Sequence, residues 1–477
     1  MGWQLVLRYS DGGVSTDIEV CDIGEVGAPF RLSELGINRD LSKKILRSLQ
    51  ACTCALQEEE LARRARVYAR ATPCCEIKDY RKRSVQTLFG NVTIRIPRLR
   101  MRGRTIPFVG WPSHARATPD FDFIRIKCCA WMSYPKAMKL LGEVCPVEGG
   151  VTIGAAYEKV KKFAWSVTPD RTRKTGSSKE IFLPIDTTFV KGLPEQSDTS
   201  LEIMVGAAEA TRGKQTYFSA PMTMHAHCLR LGHESLDKTR RTDKSKVVSF
   251  TDAGGNVQRL ARELGATDLP ITDWFHISMR IRHVEAIADA IRTPNRSFEA
   301  SKGSIIRKIA RLRLRLWRGK PYAIAKARRD LAPLLRTYRG DENPKVWKSQ
   351  GKKLLAAITK LEAYINNPKT RLIDYCARQQ SGKRVSTSLV EGGADFIVNA
   401  RMGRKQHMRW STRGAFQILQ ARTADINGTL EEKLLAAYPP NFRKVPLRYE
   451  NPNILQLRYD NADRKADICS TTEQPIG

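Results

Sequence analysis

The sequence predicts an α/β protein whose sheet presents carboxylates at one edge, with a basic α+β region before it and a large helical insertion within it. Three observations predict this. Apolar runs at 247–250 and 269–272 each lead to an acid and then to a helical repeat. A third apolar run, 181–190, carries a single Asp in its middle. A long stretch of basic helical sequence, 278–379, separates these runs from a last set of amphipathic helices.

The chain has 477 residues, enough for several cores. It carries 82 Lys and Arg against 49 Asp and Glu, a formal net charge of +33. An excess of that size points to a polyanion, above all nucleic acid. No apolar run reaches the length of a membrane span. The opening MGWQLVLRYSDGG lacks the charged start and long apolar stretch of a signal peptide. Eleven irregularly placed cysteines do not read as a disulfide framework, so a cytoplasmic protein, associated with the nucleoid when bound to DNA, is expected.

In chain order, Trp3, Leu5 and Leu7 alternate, and 51–71 reads as a helix rich in Glu and Arg. Cys52, Cys54, Cys74 and Cys75 flank it, but Cys-x-Cys and adjacent Cys-Cys are poor zinc spacings, and no zinc is expected. Val85, Thr87 and Phe89, then Val92, Ile94 and Ile96, alternate around Gly90-Asn91, a hairpin signal. Residues 78–104 hold nine Lys or Arg and one acid. Arg81, Lys82, Arg83, Arg95, Arg98 and Arg100 are therefore candidate DNA contacts. Residues 119–164 read as helices, with Thr152 as an N-cap, so 1–165 is expected to be an N-terminal DNA-binding region. The polar, aperiodic 166–180 is the expected linker.

Next, 181–190 is a strand carrying Asp186, and 201–208 and 215–222 are two more. A polar segment with His225, His227 and His233 leads to the strand that ends at Asp252. The turn Ala253-Gly254-Gly255 opens a helix, and a strand at 269–274 brings in Asp273, with His276 at the mouth of the next helix. Three strands, a connection, then strand, helix and strand is the order of a ribonuclease-H-like core. In that order the first and fourth strands are neighbours, which sets Asp186 beside Asp252. The expected core is 181–277 with 380–430, interrupted by 278–379; 431–477 is an extension and frayed tail.

Within the insertion, 301–353 holds 17 Lys or Arg and three acids. Apolar Ile305, Ile309, Leu312 and Leu316 interleave with Arg307, Lys308, Arg311, Arg315 and Arg318, a face expected to lie along phosphates, with Trp317 inside it. After it, Ser388 is expected to cap a helix containing Glu391 and Asp395, weakened by Gly392-Gly393. Asp186, Asp252 and Glu391 form the candidate catalytic and metal-binding triad. Three acids sharing one site make sense chiefly if cations neutralise them, and two Mg²⁺ (or Mn²⁺) ions are expected. Asp395 is the rival third acid, one turn on.

The stretches RSVQTLFGNVTIRIPRLR (83–100), LPIDTTFV (183–190), VVSFTDAGGNVQRL (247–260), DWFHISMRI (273–281) and VNARMGRKQHMRWSTRGA (398–415) resemble the DDE transposases of bacterial insertion sequences, specifically the Kra-type family. The resemblance implies Asp186, Asp252 and Glu391 as metal triad, with Asp273 and His276 matching an Asp-x-x-His element, and an all-helical insertion. It implies binding to terminal inverted repeats, Mg²⁺-dependent cleavage and strand transfer into target DNA by a homo-oligomer. Asp273, His276 and Trp410 are the expected accessory residues, Trp410 either at the DNA or in the packing of the last helices. Two other functions fit the same residues: a ribonuclease-H-like endonuclease such as a resolvase, and a DNA-binding protein whose triad has decayed.

Overall fold

The computed structural model describes residues 2–11, 14–25, 36–109, 116–147, 151–166, 178–194, 199–210, 213–251, 255–291, 296–336, 344–403 and 407–438. The alternation at the start belongs to an antiparallel hairpin, β1 (Gly2–Asp11) and β2 (Val14–Glu25). Helix α1 (Arg39–Ala71) begins well before residue 51, because the Asn38 side chain accepts from the Leu41 N–H and caps it. It packs across an antiparallel sheet of β3 (Cys75–Thr87), β4 (Gly90–Met101) and β5 (Arg104–Pro107). The hairpin turn is Leu88-Phe89, earlier than the expected Gly90-Asn91. Thr87 Oγ1 accepts from the Phe89 N–H and donates to the Gly90 carbonyl, while Gly90 takes a φ of 123° that side chains disfavour.

Three helices follow: α2 (Pro119–Trp131), capped by Thr118, α3 (Tyr134–Val144) and α4 (Ile153–Ser166), where Thr152 accepts from the Ala155 N–H. The central sheet then starts with the meander β6 (Glu180–Lys191), β7 (Ser200–Ala210) and β8 (Thr216–Pro221). The His225 segment is a helix, α5 (His225–Asp237), since Cys228, Leu231 and Leu236 give it an apolar stripe against the sheet. β9 (Lys246–Thr251) returns parallel to β6, α6 (Gly255–Glu263) follows, and β10 (Ile271–Thr272) adds parallel to β9. The order across the sheet is β10-β9-β6-β7-β8. Its first and fourth strands in chain order, β6 and β9, are therefore neighbours.

β10 is shorter than the expected 269–274. Pro270 has no N–H to give a ladder, and Asp273 already caps α7 (Trp274–Asp289). The insertion comprises α7, α8 (Arg296–Trp317), α9 (Tyr322–Arg336), α10 (Pro344–Ile365) and α11 (Tyr375–Gln380). It shares one core with Phe182, Val248 and Phe250, so it lies on the sheet rather than projecting from it. Beyond it come α12 (Ser388–Gly393), a π-helical stretch (Ala394–Asn399), α13 (Ala400–Met402), α14 (Thr412–Ile426) and α15 (Leu430–Ala436).

The division at 166–180 does not divide the packing. Ile126 of α2, Met138 of α3 and Phe163 of α4 share a core with Val205 of β7 and Leu419 of α14. Left with the N-terminal region alone, those apolar faces would meet water. Arg422 on α14, wholly buried, donates to the carbonyls of Ala130 on α2 and of Phe396 and Ile397 in the π-helical stretch. Buried Asp122 on α2 in turn accepts from Arg125, Lys159 and Tyr438. Residues 167–177 of the expected linker and 439–477 of the expected tail lie outside the described residues. Among the described residues no helix is long and apolar enough to cross a membrane.

Arg422→Ala should lower stability by about 3 kcal/mol, because three buried carbonyls lose their donor at roughly 1 kcal/mol or more each. Urea unfolding at neutral pH measures this, and a loss below about 1 kcal/mol would contradict it.

Candidate active site

Asp186 sits in β6 opposite Val205 of β7, so the two side chains share a face of the sheet. It is half-buried, and its carboxylate accepts from the Thr187 N–H at 2.8 Å. On the other side, β9 runs parallel with Pro184 opposite Phe250, and it ends at Thr251. Asp252 follows directly and lies outside the described residues.

Asp273, at the end of β10, is fully buried and its side chain caps α7. It meets His276 Nδ1 at 2.8 Å. It also reaches across the insertion to Thr387, the residue that opens α12, accepting from its N–H at 2.9 Å and its hydroxyl at 2.7 Å. One turn along α12, Glu391 Oε1 lies 3.8 Å from His276 Nδ1 and 3.5 Å from the Thr387 hydroxyl. Ligand atoms of Asp273, His276 and Glu391 lie within 4.8 Å of one another. The charge of Asp186 also bears on both His276 and Glu391.

Why α12 comes so close is a matter of Gly393. A Cβ there would stand 3.2 Å from Val205 Cγ1, tighter than side chains normally tolerate. Val205 is the cross-strand partner of Asp186, so the glycine lets the Glu391 helix rest on the sheet beside that acid. Asp395, the rival, is exposed and accepts from Asn399 Nδ2 at 2.9 Å.

Burial pushes Glu391 up to about 7, with Asp273 and Asp186 adding and His276 and Thr387 opposing. The hydrogen bond to Asp273 holds His276 above its usual range, helped by the charges of Asp273, Glu391 and Asp186. Burial works against ionisation of Asp273, but hydrogen bonds from His276 and Thr387 hold its carboxyl below the usual range. An acid held near neutrality by desolvation and neighbouring carboxylates is in a place that suits a hard cation. The donors are oxygen-rich with one imidazole, and they fit Mg²⁺ or Mn²⁺ better than a thiolate-seeking metal.

Trp410 is elsewhere. It is buried in the core with Val190, its backbone bonds Lys191 and Leu193, and Arg401 lies 5.1 Å over its ring. Trp317, placed by the sequence in a phosphate-binding face, packs against Trp274 and Tyr375 instead. Among the hairpin cations, Arg95 pairs with Glu58 of α1, Arg98 with Asp79 and Arg100 with Glu76. Arg81 and Lys82 are exposed and Arg83 is half-buried. On α8, Ile305, Ile309, Leu312 and Leu316 face the core and Arg307 and Arg311 are exposed, as is Arg318 just past its end. Lys308 reaches Asp330 at 3.7 Å, and Arg315 is half-buried. Thr387 is a residue the sequence does not single out, since Ser388 is the expected cap; the Ser-Thr-Ser run at 386–388 is its only signal.

No family model matches the chain, and no curated protein matches it. Five chains of solved structures do. One of them is the Drosophila P element transposase strand transfer complex, at 12% identity and a TM-score of 0.30, over 66% of this chain and 93% of that one. A fit that loose fixes no function.

The raised Glu391 makes folding take up a proton between its ordinary value of 4.5 and about 7. Its contribution is thus present at low pH and lost as pH rises through that window. In EDTA, the stability of the wild type relative to Glu391→Gln should fall from pH 5 to pH 8. Denaturation at both pH values checks this; a difference that stays level or rises would contradict it.

Proposed function

We propose that this protein is a DNA transposase with a ribonuclease-H-like core, acting on the terminal inverted repeats of an insertion sequence. The observation that carries the reading is that Glu391, far from the sheet strands in sequence, lies 3.8 Å from His276 on a helix whose Gly393 rests on Val205, the cross-strand partner of Asp186, in a protein of net charge +33. A small acidic cluster in a basic molecule suits phosphodiester chemistry: the surface would draw DNA and the cluster would hold cations. The strand order β10-β9-β6-β7-β8, with three antiparallel strands and two parallel ones, supports the core assignment. Asp252 joins the site on the sequence, since it follows the last residue of β9.

Asp186, Asp252 and Glu391 are the residues that would hold two Mg²⁺ (or Mn²⁺) ions. Bound there, the pair would activate water or a 3′ hydroxyl and stabilise the leaving oxygen. His276 keeps its Nδ1 on Asp273, so as an imidazolium it presents Nε2–H to a phosphate oxygen. Arg307 and Arg311 on α8 and Arg318 just past its end, with Arg81 and Lys82 on β3, hold the duplex by its backbone. Several copies of the chain act together on paired ends.

Duplexes carrying the sequences that flank the gene, incubated with the full chain and Mg²⁺, should yield nicks with free 3′ hydroxyls and then joined products. Asp252→Asn and Glu391→Gln should bind the duplex as the wild type does but cut at trace rates, and Asp395→Asn should cut near-normally. Cleavage that survives EDTA, or survives Glu391→Gln, sinks the proposal; nicks without joined products point to a resolvase.

Replacing Arg307, Arg311 and Arg318 with Ala should weaken binding to all sequences. Each phosphate no longer neutralised flattens the slope of log K against log salt by about 0.9. An unchanged slope would return this face of α8 to plain solvent exposure.

A further inference from the structure

Asp273 belongs to the donor group around Glu391, yet its own bonding tells against a ligand's part. Oδ1 accepts from the Phe275 N–H at 3.1 Å and the Thr387 N–H at 2.9 Å. Oδ2 accepts from the Thr387 hydroxyl at 2.7 Å, meets His276 Nδ1 at 2.8 Å, and has the His276 N–H at 3.4 Å. A carboxylate offers about four lone-pair sites, so these donors use them up. The side chain is also fully buried, whereas Glu391 and His276 are only partly so. A ligand to a hard cation needs an oxygen directed at the ion.

Thr387 is unusual in the same way. It is the N-cap of α12, but its side chain makes no capping bond to that helix. Its hydroxyl goes to Asp273 instead, and its backbone carbonyl accepts from the Glu391 N–H at 3.1 Å. Asp273 is itself the cap of α7, the first helix of the insertion, and Thr387 opens the first helix after it.

We infer that Asp273 is a positioning residue rather than a metal ligand: through Thr387 it sets where the Glu391 helix begins, and through Nδ1 it sets His276. The inference rests on the reading of Glu391 as a metal-binding acid. A single carboxylate thereby locks the entry and the return of the helical insertion to the site. Loosening either bond leaves Glu391 with its charge but without its fixed place.

The test is a double-mutant cycle in the full chain, read by Mn²⁺ binding from the electron paramagnetic resonance of free Mn²⁺. Asp273→Asn and Thr387→Val should each weaken binding about 10-fold or more, the usual effect of losing an orienting partner. The double variant should bind no worse than Asp273→Asn, because both remove one linkage. Thr387→Ser keeps the hydroxyl and should bind as the wild type does. Wild-type affinity in Thr387→Val beside lost binding in Asp273→Asn would make Asp273 a ligand and overturn the inference. Hydrogen exchange of the metal-free chain gives a second readout. Asp273→Asn should speed exchange at 386–393 as well as at 274–280; a change confined to 274–280 would mean a plain helix cap and also overturn it. Should the wild type fail to bind Mn²⁺, the metal reading of the site falls, and the exchange pattern still decides the positioning role.

Discussion

A buried carboxylate governs this architecture. Asp273 is ionised where water cannot reach it, and an ion in that setting is tolerable only when donors surround it. Its donors come from the first turn of α7 and from Thr387, on opposite sides of the insertion. Satisfying one side chain therefore forces two distant parts of the chain together. The neighbouring bonds follow suit: Tyr375 donates to the Thr272 carbonyl at 2.6 Å, Thr272 bonds Thr370, and Arg371 pairs with Ile271 at the sheet's edge. The insertion can be long because its two ends are fixed at one point, and loop length costs little once closure is secured.

Electrostatics act at two scales. Over the whole chain the excess of +33 favours approach to a polyanion. Locally, several of those cations are already committed. Arg95, Arg98 and Arg100 answer acids within the N-terminal unit, and Arg378 and Lys383 both answer Glu180 at the start of β6. What remains for a partner is narrower than composition suggests, and among the described residues it includes the outer face of α8 and the exposed start of the basic run on β3. The most exposed of these pairs, Arg100 with Glu76, adds little stability, so its chief effect is to orient side chains.

Much of the sheet was legible because buried strands write themselves as short apolar runs. Ile181, Leu183 and Ile185 mark β6, and Val247, Val248 and Phe250 mark β9. The α8 face was legible for the same reason at helical spacing. Local signals failed where a long-range partner decides. Nothing in 119–166 says that its helices pack on α14, since an amphipathic stripe names no recipient. Trp317 looked like a base-stacking residue amid arginines, but Trp274 and Tyr375 take up its ring. Ser388 looked the better cap until Asp273, more than a hundred residues away, claimed Thr387.

The choice between the two late acids shows how a small residue settles a site. On an unbroken α-helix Glu391 and Asp395 would stack one turn apart on one face. Here the winding changes from α to π at Ala394, and the two part: Glu391 turns to His276 and Thr387, Asp395 to Asn399 and solvent. π-helical turns are costly and are commonly kept where a site needs them. This one is held from outside by Arg422, which answers the carbonyls of Phe396 and Ile397, and from inside by Gly393 resting on Val205. Gly393, one of the glycines that weaken the helix in isolation, is what allows it to sit against β7 at Val205, the cross-strand partner of Asp186.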